Sequence, residues 1–141
     1  MAKIGEMVKS KYSGRFELKI SEDEEQFVVV EYLQRRGWEV HHSPNGGKRP
    51  SKVDVKGRTY SNEGKKMQKL GTLPGFHDLI ILDPPPKFPG SPGTFIEMKT
   101  LDGSATKEQK DFKDRRLHQG WKSEICFGAS HALAFLQSLG Y

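Results

Sequence analysis

The chain carries a single cysteine, Cys126, among 141 residues. One thiol excludes an intrachain disulfide and leaves no cysteine cluster for zinc. It lies in Glu124-Ile125-Cys126-Phe127, a β-prone run that makes it an inert core thiol. Long hydrophobic runs are missing too. None approaches the roughly 18 residues of a membrane span, so no membrane partner is expected. The first residues hold no apolar signal core, and the expected site of work is the cytoplasm. Histidine pairs suited to a metal are also lacking. His41 and His42 are adjacent, and neighbours on a strand point to opposite faces. A metal site built on them with Asn45 is disfavoured, and His77 stands too far along the chain to rescue it.

What is present is charge. The chain has 23 basic and 18 acidic residues, a net charge of +5. That balance points to a polyanionic partner. Charged residues make up 29% and hydrophobic ones 34%. The length predicts one domain with a proper core.

Two stretches concentrate the chemistry. In Thr94-Phe95-Ile96-Glu97-Met98-Lys99-Thr100, strand alternation puts Glu97 and Lys99 on one face and Met98 on the other. In Gly75-Phe76-His77-Asp78-Leu79-Ile80-Ile81-Leu82, Asp78 stands at the mouth of an apolar strand. If these strands are neighbours, Asp78, Glu97 and Lys99 converge. Two carboxylates beside an ammonium suit a divalent cation and an activated water. An acid-x-Lys strand alone is more often a half-exposed ion pair. The apolar flanks of both acids argue against that reading here.

Residues 1–20 read as an arm or a short strand around 15–20. Ser21-Glu22-Asp23-Glu24 fits a capping box that opens a helix ending at Gly37. Phe27, Val30 and Leu33 supply its apolar face. Glu22, Gln26, Val29 and Leu33 share a stripe, which sets Glu22 and Gln26 at the core-facing edge near the helix start. Residues 38–42 form a strand. A basic loop follows over 43–72, containing the Asn45-Gly46-Gly47 turn signal. Between residues 43 and 70 there are eight basic residues and two acids, Asp54 and Glu63. A loop of this length is usually functional. Lys48, Arg49, Lys65, Lys66 and Lys69 are candidate DNA contacts, joined by Lys110 further on. The proline-rich stretch 83–93 breaks the Asp78 strand and makes an antiparallel connection to the Glu97 strand. Thr106-Lys107-Glu108-Gln109 is a second capping box, starting a helix to about Gln119. Gln109 is either the partner of Thr106 in that box or a group pointing back at the acidic site. A strand over 121–127 is followed by a helix that Ser130 caps, with Leu133, Leu136 and Leu139 inward. The β-α-β crossover makes the last two strands parallel. The fold class is α/β, a mixed β-sheet flanked by helices.

The ordered set resembles the PD-(D/E)XK nuclease superfamily. It is most similar to the virus-type replication-repair nuclease (VRR-NUC) family. The matching residues are Ser21-Glu22 with Gln26, Asn45-Gly46, Gly71, Pro74-Gly75 before Asp78-Leu79, Phe95-Ile96-Glu97-Met98-Lys99-Thr100, and Gln109. The resemblance covers residues 21–139, and it implies a restriction-endonuclease-like core of αβββαβ order with a final helix. It implies a nuclease domain over 21–141 and a metal-dependent endonuclease for branched or duplex DNA. Asp78, Glu97 and the Met98 backbone carbonyl would bind Mg²⁺ or Mn²⁺, with Glu22 completing the shell, directly or through water; the family's spacing selects Glu22 as the helix carboxylate, with Glu25 as the alternative. Lys99 would orient or deprotonate the attacking water, and Gln109 would position Lys99 or the phosphate. The family's bare-domain members come from phages and bacteria, resemble Holliday-junction resolvases and tend to be homodimers. That implies work in a bacterial or phage-infected cell. One departure is His77, where the family has proline. This residue is expected to touch the substrate or modulate the site. The rival reading is a nucleic-acid-binding module that keeps the fold without turnover.

Overall fold

A computed structural model describes residues 2–44, 52–53, 59–60 and 62–141, with backbone only at 52, 53, 59, 60, 62 and 63. Chain order gives β1 (Met7–Lys9), β2 (Phe16–Leu18), α1 (Glu22–Arg35), β3 (Val40–His42), β4 (Lys52–Val53) and β5 (Thr59–Tyr60). It continues with α2 (Asn62–Lys69), β6 (Leu79–Ile81), β7 (Thr94–Lys99), α3 (Lys107–His118), β8 (Lys122–Phe127) and α4 (Ala129–Leu139). The central sheet runs β3-β6-β7-β8. Its first three strands are antiparallel, and β7 and β8 are parallel around the α3 crossover. This is the mixed sheet flanked by helices that the sequence predicts.

Alternation along β7 divides the molecule into layers. Ile96 and Met98 point into a core with Val29 and Leu33 of α1, Leu79 and Ile81 of β6, and Ala132 and Leu136 of α4. Phe95 points the other way, where it meets Phe112 of α3 edge-on at 5.1 Å. Glu97 and Lys99 share the Phe95 side by the same period. Cys126 is fully buried in the α1–α4 core, and burial pushes its thiol far up. It is the inert thiol expected.

Several local expectations change. Phe27 is 68% exposed, and the inward stripe of α1 is instead Glu25, Val29 and Leu33. Those positions repeat every four residues, so they stay on one face. Ser21 caps α1 by accepting the Glu24 N–H at 3.1 Å. The return bond from Glu24 is absent among the described residues. The box at α3 is complete. Residues 1–20 are more than an arm: β1 and β2 form an antiparallel hairpin. The 43–72 stretch carries a two-stranded β4–β5 pair and helix α2 in place of a structureless loop.

Ser130 does not cap α4. That helix starts at Ala129 after Gly128, and no side chain of its own caps it. Glu25 of α1 does so from a distance: its Oε2 accepts the Ala129 N–H at 3.0 Å. A side chain on Gly128, which has φ +90°, would strike that carboxylate and Leu101. Burial raises the Glu25 carboxyl, against the lowering effect of the Ala129 bond. Removing a cap and stranding a buried N–H costs about 1–2 kcal/mol. Glu25→Ala should therefore lower stability by about that much in urea denaturation. Ser130→Ala should change it by less than about 0.5 kcal/mol.

Candidate metal centre

Strand pairing delivers the acids. Leu79 pairs with Ile96, so Asp78, one residue before β6, falls opposite Glu97. The Asp78 carboxylate is fixed by the backbone of the next strand: its Oδ2 accepts the Met98 N–H at 2.9 Å. Its carbonyl accepts the Ser43 N–H at 2.7 Å. The His42 Nδ1 lies 3.2 Å from the same carbonyl, and the Gln26 amide nitrogen sits 3.1 Å from that ring nitrogen. Glu22, in the first turn of α1, closes the third side. Oxygens of Glu22, Asp78 and Glu97 all lie within 4.8 Å of one another. Lys99 Nζ stands 3.9 Å from Glu97 Oε2. Glu97 is 2% exposed and Asp78 7%, whereas Glu22 is exposed.

The cluster is short of positive charge. At an effective dielectric of about 20, unit charges about 4 Å apart interact by roughly 4 kcal/mol. Three carboxylates repel pairwise, and one ammonium offsets only part of that. The same imbalance displaces the carboxyl pKa values. Burial raises the Glu97 carboxyl well above its ordinary range, the Asp78 bond and charge raise it further, and Lys99 only partly opposes them. Glu22 is raised by burial and then by the Asp78 charge. All three donors are hard oxygens, which fit Mg²⁺ or Mn²⁺ and not a site for soft metals. A divalent cation would supply the positive charge that Lys99 alone does not.

No family model matches the chain, and no curated protein matches it. Among solved structures, the chain is similar to a VRR_NUC domain protein. The match has a TM-score of 0.63 and 23% identity, covering 86% of this chain and 92% of the other. The chain has a VRR-NUC-like fold. Its mixed sheet flanked by helices is the architecture that resemblance implies.

The remaining sequence candidates are placed as follows. Gln109 serves the cap: its Oε1 accepts the Thr106 N–H at 3.0 Å. That bond gives its side chain the first of the two roles the sequence leaves open, the partner of Thr106 in the box. His77 is fully buried, so its ring offers no surface to solvent. Its ring packs on Phe112 at 4.7 Å, its Nε2–H donates to the Gln109 carbonyl at 3.2 Å, and Ser123 Oγ lies 3.3 Å from Nδ1. Burial lowers its pKa to about 4, keeping it neutral. It ties the residue beside Asp78 to the start of α3. Glu25 is committed to α4, which leaves Glu22 as the helix carboxylate at the centre. Lys66 and Lys69 are exposed on α2 and Lys110 on α3; Lys65 is also at the surface. Lys48 and Arg49 lie outside the described residues.

The Glu97 shift sets a pH dependence. Its folded pKa is above the ordinary value of 4.5, so the folded state holds a proton that the unfolded chain releases. Stability therefore falls as pH rises through that window. Urea denaturation of the metal-free protein should show a steady loss from about pH 5 to about pH 8. Glu97→Gln, which cannot ionise, should flatten that slope.

Proposed function

We propose that this chain is a metal-dependent DNA endonuclease that hydrolyses phosphodiester bonds in branched or duplex DNA. The observation that carries this reading is the convergence of Glu22, Asp78 and Glu97 with Lys99 beside them. Like charges buried together destabilise a fold, and such a cluster is hard to explain in a protein that only binds. The VRR-NUC-like fold supports the same reading.

Glu22, Asp78 and Glu97 would hold Mg²⁺ or Mn²⁺. Both polar groups of a strand residue leave the strand on the same edge. The Met98 carbonyl therefore leaves on the edge where its N–H reaches Asp78, and it adds a fourth oxygen. The bound cation supplies charge neutralisation at the phosphate and acidifies a water. The chain's own groups do the rest. Asp78, fixed by the Met98 N–H, would hold its donor oxygen in place for the cation. Lys99 orients the attacking water, takes its proton or offsets the charge that develops on the phosphoryl oxygens. Gln109 supports the centre indirectly, through its carbonyl bond to His77 next to Asp78. Lys65, Lys66, Lys69 and Lys110, with Lys48 and Arg49, supply sequence-independent phosphate contact.

Within this reading the substrate is a four-way junction or another branched structure, and the active form is a homodimer, whose symmetry suits paired cuts. The work is replication, recombination or repair in the cytoplasm of a bacterial or phage-infected cell. No described helix is long and apolar enough to cross a membrane.

Labelled junction, flap, duplex and single-stranded DNA, each incubated with Mg²⁺, Mn²⁺ or EDTA, test the proposal. Cleavage should require the metal. Lys99→Ala should slow it by about 10²-fold or more, and Asp78→Ala should abolish it. Binding without cleavage under every metal would sink the enzyme reading and promote a binding module.

A further inference from the structure

Of the three clustered acids, Glu22 is the least firmly held. Asp78 is pinned by the Met98 N–H, and Glu97 is buried within β7. Glu22 is exposed, and its carboxylate makes no hydrogen bond among the described residues. Its place therefore depends on where the start of α1 sits. Glu25 ties that start to α4, which carries none of the three acids. A second tie runs toward the sheet. Gln26 lies one turn beyond Glu22 on the same face of α1. Its side-chain amide is 3.1 Å from His42 Nδ1, and that ring nitrogen is 3.2 Å from the Asp78 carbonyl. One imidazole thus stands between the helix that supplies Glu22 and the backbone of Asp78 itself.

A carbonyl oxygen only accepts, so Nδ1 carries the proton that joins His42 to Asp78. A side-chain amide presents its oxygen or its nitrogen within the same outline. With the oxygen toward the ring, Gln26 shares the Nδ1–H, and all three groups are satisfied. The bridge is not needed to pair β3 with β6. Their ladder runs from Val40 opposite Ile81 to His42 opposite Leu79, and the Ser43 N–H already donates to the Asp78 carbonyl at 2.7 Å. Nor is it a core contact: His42 is exposed and Gln26 half-buried. An exposed hydrogen bond contributes little to global stability, because water replaces it when it breaks. What the bridge does fix is lateral, the spacing between the start of α1 and Asp78. His41, the preceding residue of β3, points to the opposite face and takes no part.

We propose that His42 is a positioning residue of the metal centre, acting through Gln26 on Glu22 and through the backbone carbonyl on Asp78. The bridge holds carboxylates from two different elements at the spacing a hard cation requires. Without it, the first turns of α1 keep only the tie to α4, and Glu22 drifts from the two strand acids. Partners that orient metal ligands change metal affinity without touching the metal. This inference rests on the metal-centre part of the nuclease reading and adds a residue that reading does not use.

The test is calorimetric titration of the full chain with Mn²⁺, with urea denaturation of each metal-free variant beside it. His42→Leu and Gln26→Leu should each weaken Mn²⁺ binding by about tenfold or more, with urea midpoints close to that of the wild type. The double variant should lose no more than either single one, because both break the same bridge. His42→Asn, whose amide N–H takes the place of Nδ1–H, should restore most of the affinity. His41→Leu should leave it unchanged. Leu variants that bind as the wild type does, losses that add in the double variant, or His42→Asn no better than His42→Leu would overturn the inference. So would a loss that merely follows a fall in the urea midpoint, or an equal loss in His41→Leu. A wild-type protein that binds no Mn²⁺ would overturn the metal-centre reading and this inference with it. The expected binding pattern without any DNA cleavage in Mn²⁺ or Mg²⁺ would uphold His42 and overturn the enzyme reading instead.

Discussion

Two buried carboxylates held beside a third are the constraint on which the rest of this structure depends. Asp78 and Glu97 are almost without solvent, and Glu22 lies within 4.8 Å of both. Left to themselves these groups would move apart or stay protonated. The fold prevents separation by backbone means. The pairing of Leu79 with Ile96 sets Asp78 opposite Glu97, and the Met98 N–H pins the Asp78 carboxylate. Both devices rest on the backbone, so the Asp78 carboxylate is held beside the Glu97 position by the fold itself. That preorganisation is what a hydrolytic centre needs.

Support for the centre comes from both faces of the sheet. On one face, His77 bonds to α3 through the Gln109 carbonyl and packs among Phe95 and Phe112. Gly75, with φ +75°, lies so close to the Glu108 backbone that a Cβ there would collide with it. The segment leading to Asp78 is therefore pressed onto the start of α3. On the other face, Glu25 ties the first turn of α1 to the first turn of α4. That contact fixes the turn from which Glu22 projects. Both strand and helix contributions to the centre are thus anchored at the residue beside the functional one or within a turn of it.

The centre itself was legible because period-2 alternation is local. Glu97 and Lys99 are two residues apart, and no tertiary knowledge is needed to put them on one side of a strand. The α3 box was legible for the same reason, being written within four residues. What escaped sequence reading depends on partners far along the chain. Glu25 looked like one of four acids at a helix start, and its partner is 104 residues away. Ser130 had the chemistry of a cap, but that distant carboxylate occupied the position. Phe27 looked like core, although the 25-29-33 stripe faces inward and leaves it in solvent. The hairpin was hidden because its strands have three residues each, too few to show a period. Lys19 and Asp102, an ion pair at 2.8 Å, likewise gave no signal of pairing across such a separation. The Gly14 turn between two short runs was the clue available.

The central claim is that Glu22, Asp78 and Glu97 together hold a hard divalent cation. The most direct measurement is Mn²⁺ binding followed by electron paramagnetic resonance at neutral pH, with Mg²⁺ as competitor. The account predicts saturable Mn²⁺ binding that Mg²⁺ displaces and that Glu97→Gln and Asp78→Asn each weaken by about tenfold or more. Failure of the wild-type protein to bind Mn²⁺, or binding unaffected by either substitution, would contradict it.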